Sequence, residues 1–169
     1  MKQLIYLLLL STTISCMEGS KEYSSLNPVN WETRSIDISQ KDSLEFGRTY
    51  LSSYSQIYSM SEHRTHNLTA MASLRNTSMT DTVYVLKATY HDTEGKLVRT
   101  YFDKPIYLVP LETVEIIIDE IDTEGGTGSN FIFEWKIPKT ASEPLFEGIM
   151  SSTMGQQGLS FTTQGKRID

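Results

Sequence analysis

The strongest constraint on the fold is a period-two alternation of apolar and polar residues, which recurs in short segments along the chain. In residues 131–136, Phe131, Phe133 and Trp135 alternate with Ile132 and two charged residues, and residues 113–119 repeat the pattern. Successive side chains of a β-strand point to opposite faces of a sheet, so each segment predicts a strand with one buried face. Further segments rich in Val, Ile, Thr, Tyr and Phe occupy residues 50–58, 68–74, 84–90, 97–102, 106–109, 145–150 and 159–163.

These segments predict an all-β domain, an antiparallel immunoglobulin-like β-sandwich of about eight short strands. Glu94 and Gly95 lie between two strand segments and predict a tight hairpin, because glycine tolerates a positive φ. Pro105 and Pro110 restrict the segment between them to a short or edge strand, because proline cannot donate a ladder hydrogen bond. The largest side chains predicted for the core are Tyr84, Phe131, Phe133 and Trp135.

The segment at residues 84–90 has two different faces. The buried face is predicted to carry Tyr84, Leu86, Ala88 and Tyr90, and the other face Lys87, Thr89 and His91. His91 is followed by Asp92, but neighbouring residues of a strand point to opposite faces. We therefore interpret His91 as a surface histidine rather than as half of an acid–base pair.

The first fifteen residues have the form of a secretory signal peptide. Lys2 precedes an apolar run at residues 4–10 that is too short to span a bilayer. Cys16, the only cysteine, follows residues 13–15, which resemble a lipobox except that Thr13 stands where Leu is usual. A single cysteine cannot form an internal disulfide, whereas acylation of Cys16 would anchor the protein in a membrane. The alternative is a chance cysteine in an ordinary secretory signal.

Composition and charge restrict the number of domains and the class of partner. The 169 residues, 38% hydrophobic and 21% charged, are typical of one soluble domain. We expect a signal peptide at residues 1–15, a lipidated N-terminus and polar tether at 16–42, and a single domain at 43–169. Fifteen basic and 21 acidic residues give a formal charge of -6, which becomes -7 if Lys2 is removed. Nucleic acid is therefore not an expected partner.

Residues 119–135 combine acidic residues and three glycines with a strand-like run. The segment lacks the Lys-Ser/Thr pair of a P-loop, and the dinucleotide pattern of glycines is broken by Phe131. Glu120, Asp122 and Glu124 alternate as at the start of a calcium loop, but the position of the closing glutamate is also Phe131. We therefore interpret residues 119–128 as a solvated hairpin loop between two strands, and leave binding of a cation or partner open.

Residues capable of chemistry do not assemble elsewhere into a recognised motif. No serine lies in a G-x-S-x-G elbow, and His63 and His66 lack the additional ligands of a zinc site. The sequence therefore predicts no catalytic, cofactor-binding or metal-binding residue. The candidate interaction residues of the two predicted hairpin loops are Asp92, Glu94, Asp122, Glu124, Gly125, Gly126, Gly128 and Asn130.

Five runs of residues carry a family resemblance. They are SLRNTS at 73–78, YHDTEGKLVRTY at 90–101, PLETVE at 110–115, DTEGGTGSNFIFEW at 122–135 and QGLSFTTQG at 157–165. In this order, over about residues 50–168, the chain resembles the bacterial family of domain of unknown function 3124. The resemblance implies a small domain of the bacterial envelope and supplies no activity, ligand or catalytic residue.

The anchor and the fold together predict a lipoprotein of the bacterial cell envelope, attached to the inner or outer membrane through its N-terminal lipid. Sandwich domains commonly present loops or sheet edges to partners, so we expect a non-catalytic module that binds an envelope protein or a glycan. One alternative is an envelope hydrolase with a carboxylate pair drawn from Asp92, Glu94, Asp122 and Glu124. Another is a structural component of an envelope assembly.

Overall fold

The computed structural model describes residues 29–41, 43–153 and 158–169; the predicted signal peptide and Cys16 lie outside these ranges. Within the described residues, the protein is all-β, with one short 3-10 helix at Glu32–Arg34. No helix in the described ranges is long and apolar enough to cross a bilayer. The strands are β1 (Leu44–Ser52), β2 (Gln56–Ser59), β3 (Ser61–Asn67), β4 (Thr69–Arg75), β5 (Val83–His91), β6 (Leu97–Phe102), β7 (Ile106–Leu108), β8 (Thr113–Ile118), β9 (Asn130–Pro138), β10 (Leu145–Ser152), β11 (Leu159–Gln164) and β12 (Lys166–Arg167).

The strands form three antiparallel sheets, and the two larger sheets share one core. The six-stranded sheet has the order β12-β1-β9-β5-β6, with β7 also paired to β5, and the four-stranded sheet has the order β11-β10-β4-β8. β2 and β3 form a separate hairpin. The rings of Phe133 on β9 and Phe146 on β10 stack with centroids 4.4 Å apart, which joins the two sheets. The predicted all-β antiparallel class is confirmed, but twelve strands are present in the described residues rather than about eight.

β9 shows how the alternation forms this core. Its burial alternates without interruption: Phe131, Phe133, Trp135 and Ile137 are buried, and the residues between them are partly exposed. The indole Nε1 of Trp135 donates a hydrogen bond of 2.9 Å to Thr49 Oγ1 on the neighbouring strand β1, so the buried polar atom is satisfied. The predicted burial of these three aromatic residues is therefore confirmed.

The predicted faces of β5 are correct for the residues that follow a β-bulge and wrong for those that precede it. The register with β9 shifts between Val85 and Lys87, and a bulge inserts one extra residue that reverses the alternation. Ala88 and Tyr90 therefore face the core together with Val85, whereas Tyr84 points away from it, paired with Lys136. The prediction that Tyr84 shares the face of Tyr90 is wrong for this reason. Tyr84 is nevertheless 6% exposed, and the ammonium of Lys41 lies 5.3 Å from its ring centroid.

Two turn predictions are confirmed. β5 and β6 form an antiparallel hairpin, and Gly95 in its turn has φ of +81°. β7 is three residues long, lies between Pro105 and Pro110, and pairs only with β5 among the strands. Proline at both ends thus restricts the ladder as expected.

Part of the predicted tether packs on the domain. Residues 31–36, hereafter the strap, run along β7, where Ser35 forms an isolated antiparallel bridge with Ile106. The ring of Trp31 lies 4.8 Å from that of Phe102, and Arg34 Nη2 lies 2.6 Å from Glu112 Oε1. The strap therefore covers a sheet edge that would otherwise be unpaired.

The ion pair of the strap also responds to pH. The hydrogen bond from Arg34 is the main cause of a lowered pKa at Glu112, helped by the backbone N–H of Val109. A carboxyl group whose pKa is lower in the folded than in the unfolded protein stabilises the fold at any pH above the unfolded pKa. This stabilisation is lost as the pH falls through the pKa of the folded protein. The pair therefore holds the strap at neutral pH and weakens in acid.

Candidate functional site

The acidic, glycine-rich segment is a crossover between sheets rather than a hairpin. β8 pairs with β4 in the four-stranded sheet, whereas β9 lies between β1 and β5 in the six-stranded sheet. Residues 119–129 therefore carry the chain from one sheet to the other. The flanking strands were predicted correctly, but the hairpin was wrong, because each strand buries its apolar face against the opposite sheet instead of pairing with its neighbour in sequence.

The acidic residues of this crossover are not all solvated. Asp122 is 3% exposed, and its Oδ2 lies 3.0 Å from Nη2 of Arg99 on β6. Glu124 Oε2 lies 3.6 Å from the same nitrogen, and Arg99 Nη1 donates a hydrogen bond of 3.2 Å to Tyr101 OH. Burial opposes the charge of Arg99, but Tyr101 and Asp122 raise its pKa above the usual range, so the guanidinium stays charged. These residues form an ion-paired cluster, the Arg99 cluster.

The glycines permit close packing over a buried tyrosine. A Cβ on Gly125 would lie within 1.7 Å of Tyr90 OH, so only glycine fits over this ring. The hydroxyl of Tyr90 forms a 2.8 Å hydrogen bond with Ser55 Oγ, and burial is the main cause of its raised pKa. Gly126, with φ of +69°, accepts a 3.1 Å hydrogen bond from Gln56 N. The crossover is therefore fixed to the start of β2.

The tip of the β5–β6 hairpin forms hydrogen bonds with the other side of the crossover. Thr93 donates from its backbone N and from Oγ1 to the carbonyl of Gly125, both at 3.1 Å, and Gly128 N donates to Thr93 Oγ1 at 2.9 Å. Asp92 Oδ1 accepts from the backbone N–H groups of Glu94 and Lys96, at 3.0 and 2.8 Å. Asp92 therefore stabilises its own turn, and Glu94 is left exposed.

The predicted interaction residues thus fall into separate groups. Asp122, Glu124 and Gly125 come together at Arg99 and Tyr90, Gly126 and Gly128 hold the crossover in place, and Asp92 caps the hairpin. No group of three or more His, Cys, Asp or Glu side chains in the described ranges is arranged to hold a metal ion. Asn130 lies elsewhere, on the partly exposed face of β9.

Asn130 belongs to an array of side chains that the sequence did not single out. On the outer face of the six-stranded sheet, β9 lies between β1 and β5, and the register sets one residue from each strand side by side. The four rows are Ser52-Asn130-His91, Tyr50-Ile132-Thr89, Arg48-Glu134-Lys87 and Phe46-Lys136-Tyr84. The only signal available in the sequence was the placement of Lys87, Thr89 and His91 on one strand face. Their partners on β1 and β9 are set by long-range pairing.

A cleft of about 270 Å³ opens in this array, and we call it the outer-face cleft. Lys87 forms no ion pair with any described residue, although Glu134 is its cross-strand neighbour. Glu134 Oε1 instead accepts from Arg48 Nη2 and Nε, at 3.1 and 3.3 Å. The Nδ1 of His91 is buried and has no hydrogen-bond partner among the described residues. The lining residues are Lys87, Thr89, His91, Leu97, Ile132 and Glu134.

Comparison with models of protein families gives a match over most of the chain. The model of the family described as "protein of unknown function (DUF3124)" matches residues 47–168, which is more than half of the sequence. The chain belongs to the DUF3124 family. The match confirms the resemblance found in the sequence, and the part shared with DUF3124 includes both the Arg99 cluster and the outer-face cleft, while the strap precedes it.

The remaining comparisons add little to the DUF3124 assignment. No curated protein matches the chain significantly. Among solved structures, the crystal structure of Thermotoga maritima 1070 aligns at 10% identity and a TM-score of 0.46, covering 71% of this chain and 92% of its own.

Proposed function

We propose that this protein is a lipid-anchored lipoprotein of the bacterial cell envelope whose domain acts by binding, without catalysis, through the outer face of its six-stranded sheet. The observation that carries the binding role is the outer-face cleft, in which Lys87 lacks an ion pair within the described chain. Hydrogen-bonding and charged groups that converge on a partly apolar concavity are typical of a ligand site.

The proposed anchor would keep this site close to the membrane. Thirteen residue steps separate Cys16 from Val29, the first described residue. A chain spans at most about 3.3–3.6 Å per residue, so this length reaches about 45 Å when fully extended. The strap then fixes the chain to the β6–β7 edge, which limits the distance of the domain from the bilayer to a similar scale.

The Arg99 cluster weighs against the hydrolase alternative. A glycosidase-type pair needs two carboxyl groups facing one substrate across a cleft, one with a raised pKa. Asp122 is instead buried and paired with Arg99, and Asp92 caps a turn. Three clefts among the described residues are lined by other side chains. No observation favours catalysis at these four acids.

We also propose that the two larger sheets form an immunoglobulin-like sandwich. In support, both sheets are antiparallel, they share a single apolar core, and the chain crosses between them at β4–β5, β7–β8, β8–β9, β9–β10 and β11–β12. Sandwiches of this type commonly bind partners through one sheet face or one set of loops. This is an analogy of fold and does not identify the partner.

The anchor has a direct test in the Cys16→Ser variant. We expect the variant to leave the membrane fraction, because stable attachment requires the acyl chains on this residue. The measurement is fractionation of the host cells together with the mass of the N-terminal peptide. The control is Ser20→Ala, which should stay with the membrane and keep the acyl mass. Membrane association of both variants without acyl mass would refute lipidation.

A further inference from the structure

The outer-face cleft contains one cation without an ion pair within the described residues, which favours an anionic ligand. Its charged groups are Lys87 and Glu134, and Glu134 pairs through Oε1 with Arg48, which also lies 3.5 Å from Asp169 Oδ2. Two carboxylates thus compensate Arg48, and Lys87 is left to meet an incoming anion. A carboxylate can pair with this single lysine, whereas a phosphate would ordinarily be met by a bidentate arginine.

The other lining groups suit a polyhydroxylated ring. Thr89 supplies a hydroxyl and Glu134 a carboxylate, and both can form hydrogen bonds with the hydroxyl groups of a ligand. The ligand thus needs hydroxyl groups close to its negative charge.

The apolar side chains provide a surface for the C–H face of such a ring. Ile132 and Leu97 line the cleft, and Leu97 is 52% exposed. Tyr50 lies directly opposite Ile132 on β1 and is 36% exposed. The cleft, at about 270 Å³, is slightly below the range of about 300–1,000 Å³ typical of small-molecule sites. It therefore suits a ligand built on a single sugar ring.

We propose that the outer-face cleft binds an acidic sugar, with its carboxylate at Lys87, its hydroxyls at Thr89 and Glu134, and its apolar face on Ile132 and Leu97. This assignment rests on the proposed binding function and names the ligand class for the same site. N-acetylmuramic acid is a suitable probe, because it carries a carboxylate that the otherwise similar N-acetylglucosamine lacks.

The test is a calorimetric titration of the chain, purified from membranes in detergent, with each of the two sugars. We expect N-acetylmuramic acid to bind at least tenfold more tightly than N-acetylglucosamine. Lys87→Met should abolish this preference, whereas Lys139→Met, at an exposed position in a different cleft, should retain it. Thr89→Val should weaken binding of both sugars and keep the preference, which separates loss of a hydroxyl contact from loss of charge.

Three results would overturn the assignment. They are equal binding of the two sugars, a preference that survives Lys87→Met in a folded variant, and no binding of either sugar. Unchanged thermal unfolding of Lys87→Met is the check that it remains folded. If neither sugar binds, the ligand class is refuted, but the binding function is not. Crosslinking on the same face tests the binding function separately, so failure of the ligand class and failure of the binding function can be told apart.

Discussion

Replacing Arg99 with Met should lower the free energy of unfolding by about 3–5 kcal/mol, because the carboxylate of Asp122 would be left buried without its partner. The Arg99 side chain is 9% exposed and that of Asp122 1%, so solvent cannot compensate the lost charge. For a domain of this size the loss corresponds to a fall of roughly 10–20 °C in melting temperature. Thermal and urea unfolding of the purified protein measure both quantities.

Three further variants separate the ion pair from general effects of mutation. Arg64→Met changes an exposed arginine on β3 and should cost less than about 0.5 kcal/mol. Asp122→Asn should cost less than Arg99→Met, because Arg99 keeps Glu124 at 3.6 Å. The double variant Arg99→Met/Asp122→Leu should recover part of the loss by removing both charges. A loss below about 1 kcal/mol for Arg99→Met would show that the Arg99 cluster does not hold the crossover.

The second large effect is expected for Gly47→Ala on β1. A Cβ at this position would lie 2.2 Å from Cζ2 of Trp135, and the indole is fully buried and hydrogen-bonded to Thr49. Forcing an extra methyl group into a well-packed core costs about 1–3 kcal/mol and sometimes more. We expect about 3 kcal/mol, measured as a shift of the urea midpoint at unchanged slope.

Gly158→Ala is the matched control, because nothing lies within 4 Å of the added Cβ. Its stability should stay within about 0.5 kcal/mol of the parent. The fluorescence of Trp135 provides a second observable, since a displaced indole should change its emission only in the Gly47→Ala variant. Equal stability of both variants, with unchanged emission, would mean that the tryptophan does not pack against β1 as described.

The strands could be predicted because the signal for them is local. In β9 one buried face and one partly exposed face give strict alternation, and Gly95 marks the β5–β6 turn through its positive φ. The error at Tyr84 has a local cause as well: a bulge adds one residue without changing the composition of the strand. Nothing in the sequence between Val85 and Lys87 distinguishes a bulge from continued alternation.

The sites could not be predicted because they depend on long-range pairing. Asp122 looks like a solvated acid until β6 places Arg99 beside it, and Gly125 looks like a turn residue until Tyr90 lies beneath it. The outer-face rows combine residues from β1, β9 and β5 that are about 40 to 90 positions apart in the chain. Alternation identifies which residues share a strand face, but only the strand order identifies their neighbours.

The central claim is that the protein binds its partner through the outer face of the six-stranded sheet, and site-specific photocrosslinking in intact envelopes tests it most directly. A photoreactive benzoylphenylalanine would replace either Tyr50, on that face, or Tyr58, which is 62% exposed on the β2–β3 hairpin. We expect a discrete crosslinked product from position 50 that Lys87→Met abolishes, and no such product from position 58. A discrete product from position 58 alone would contradict the account.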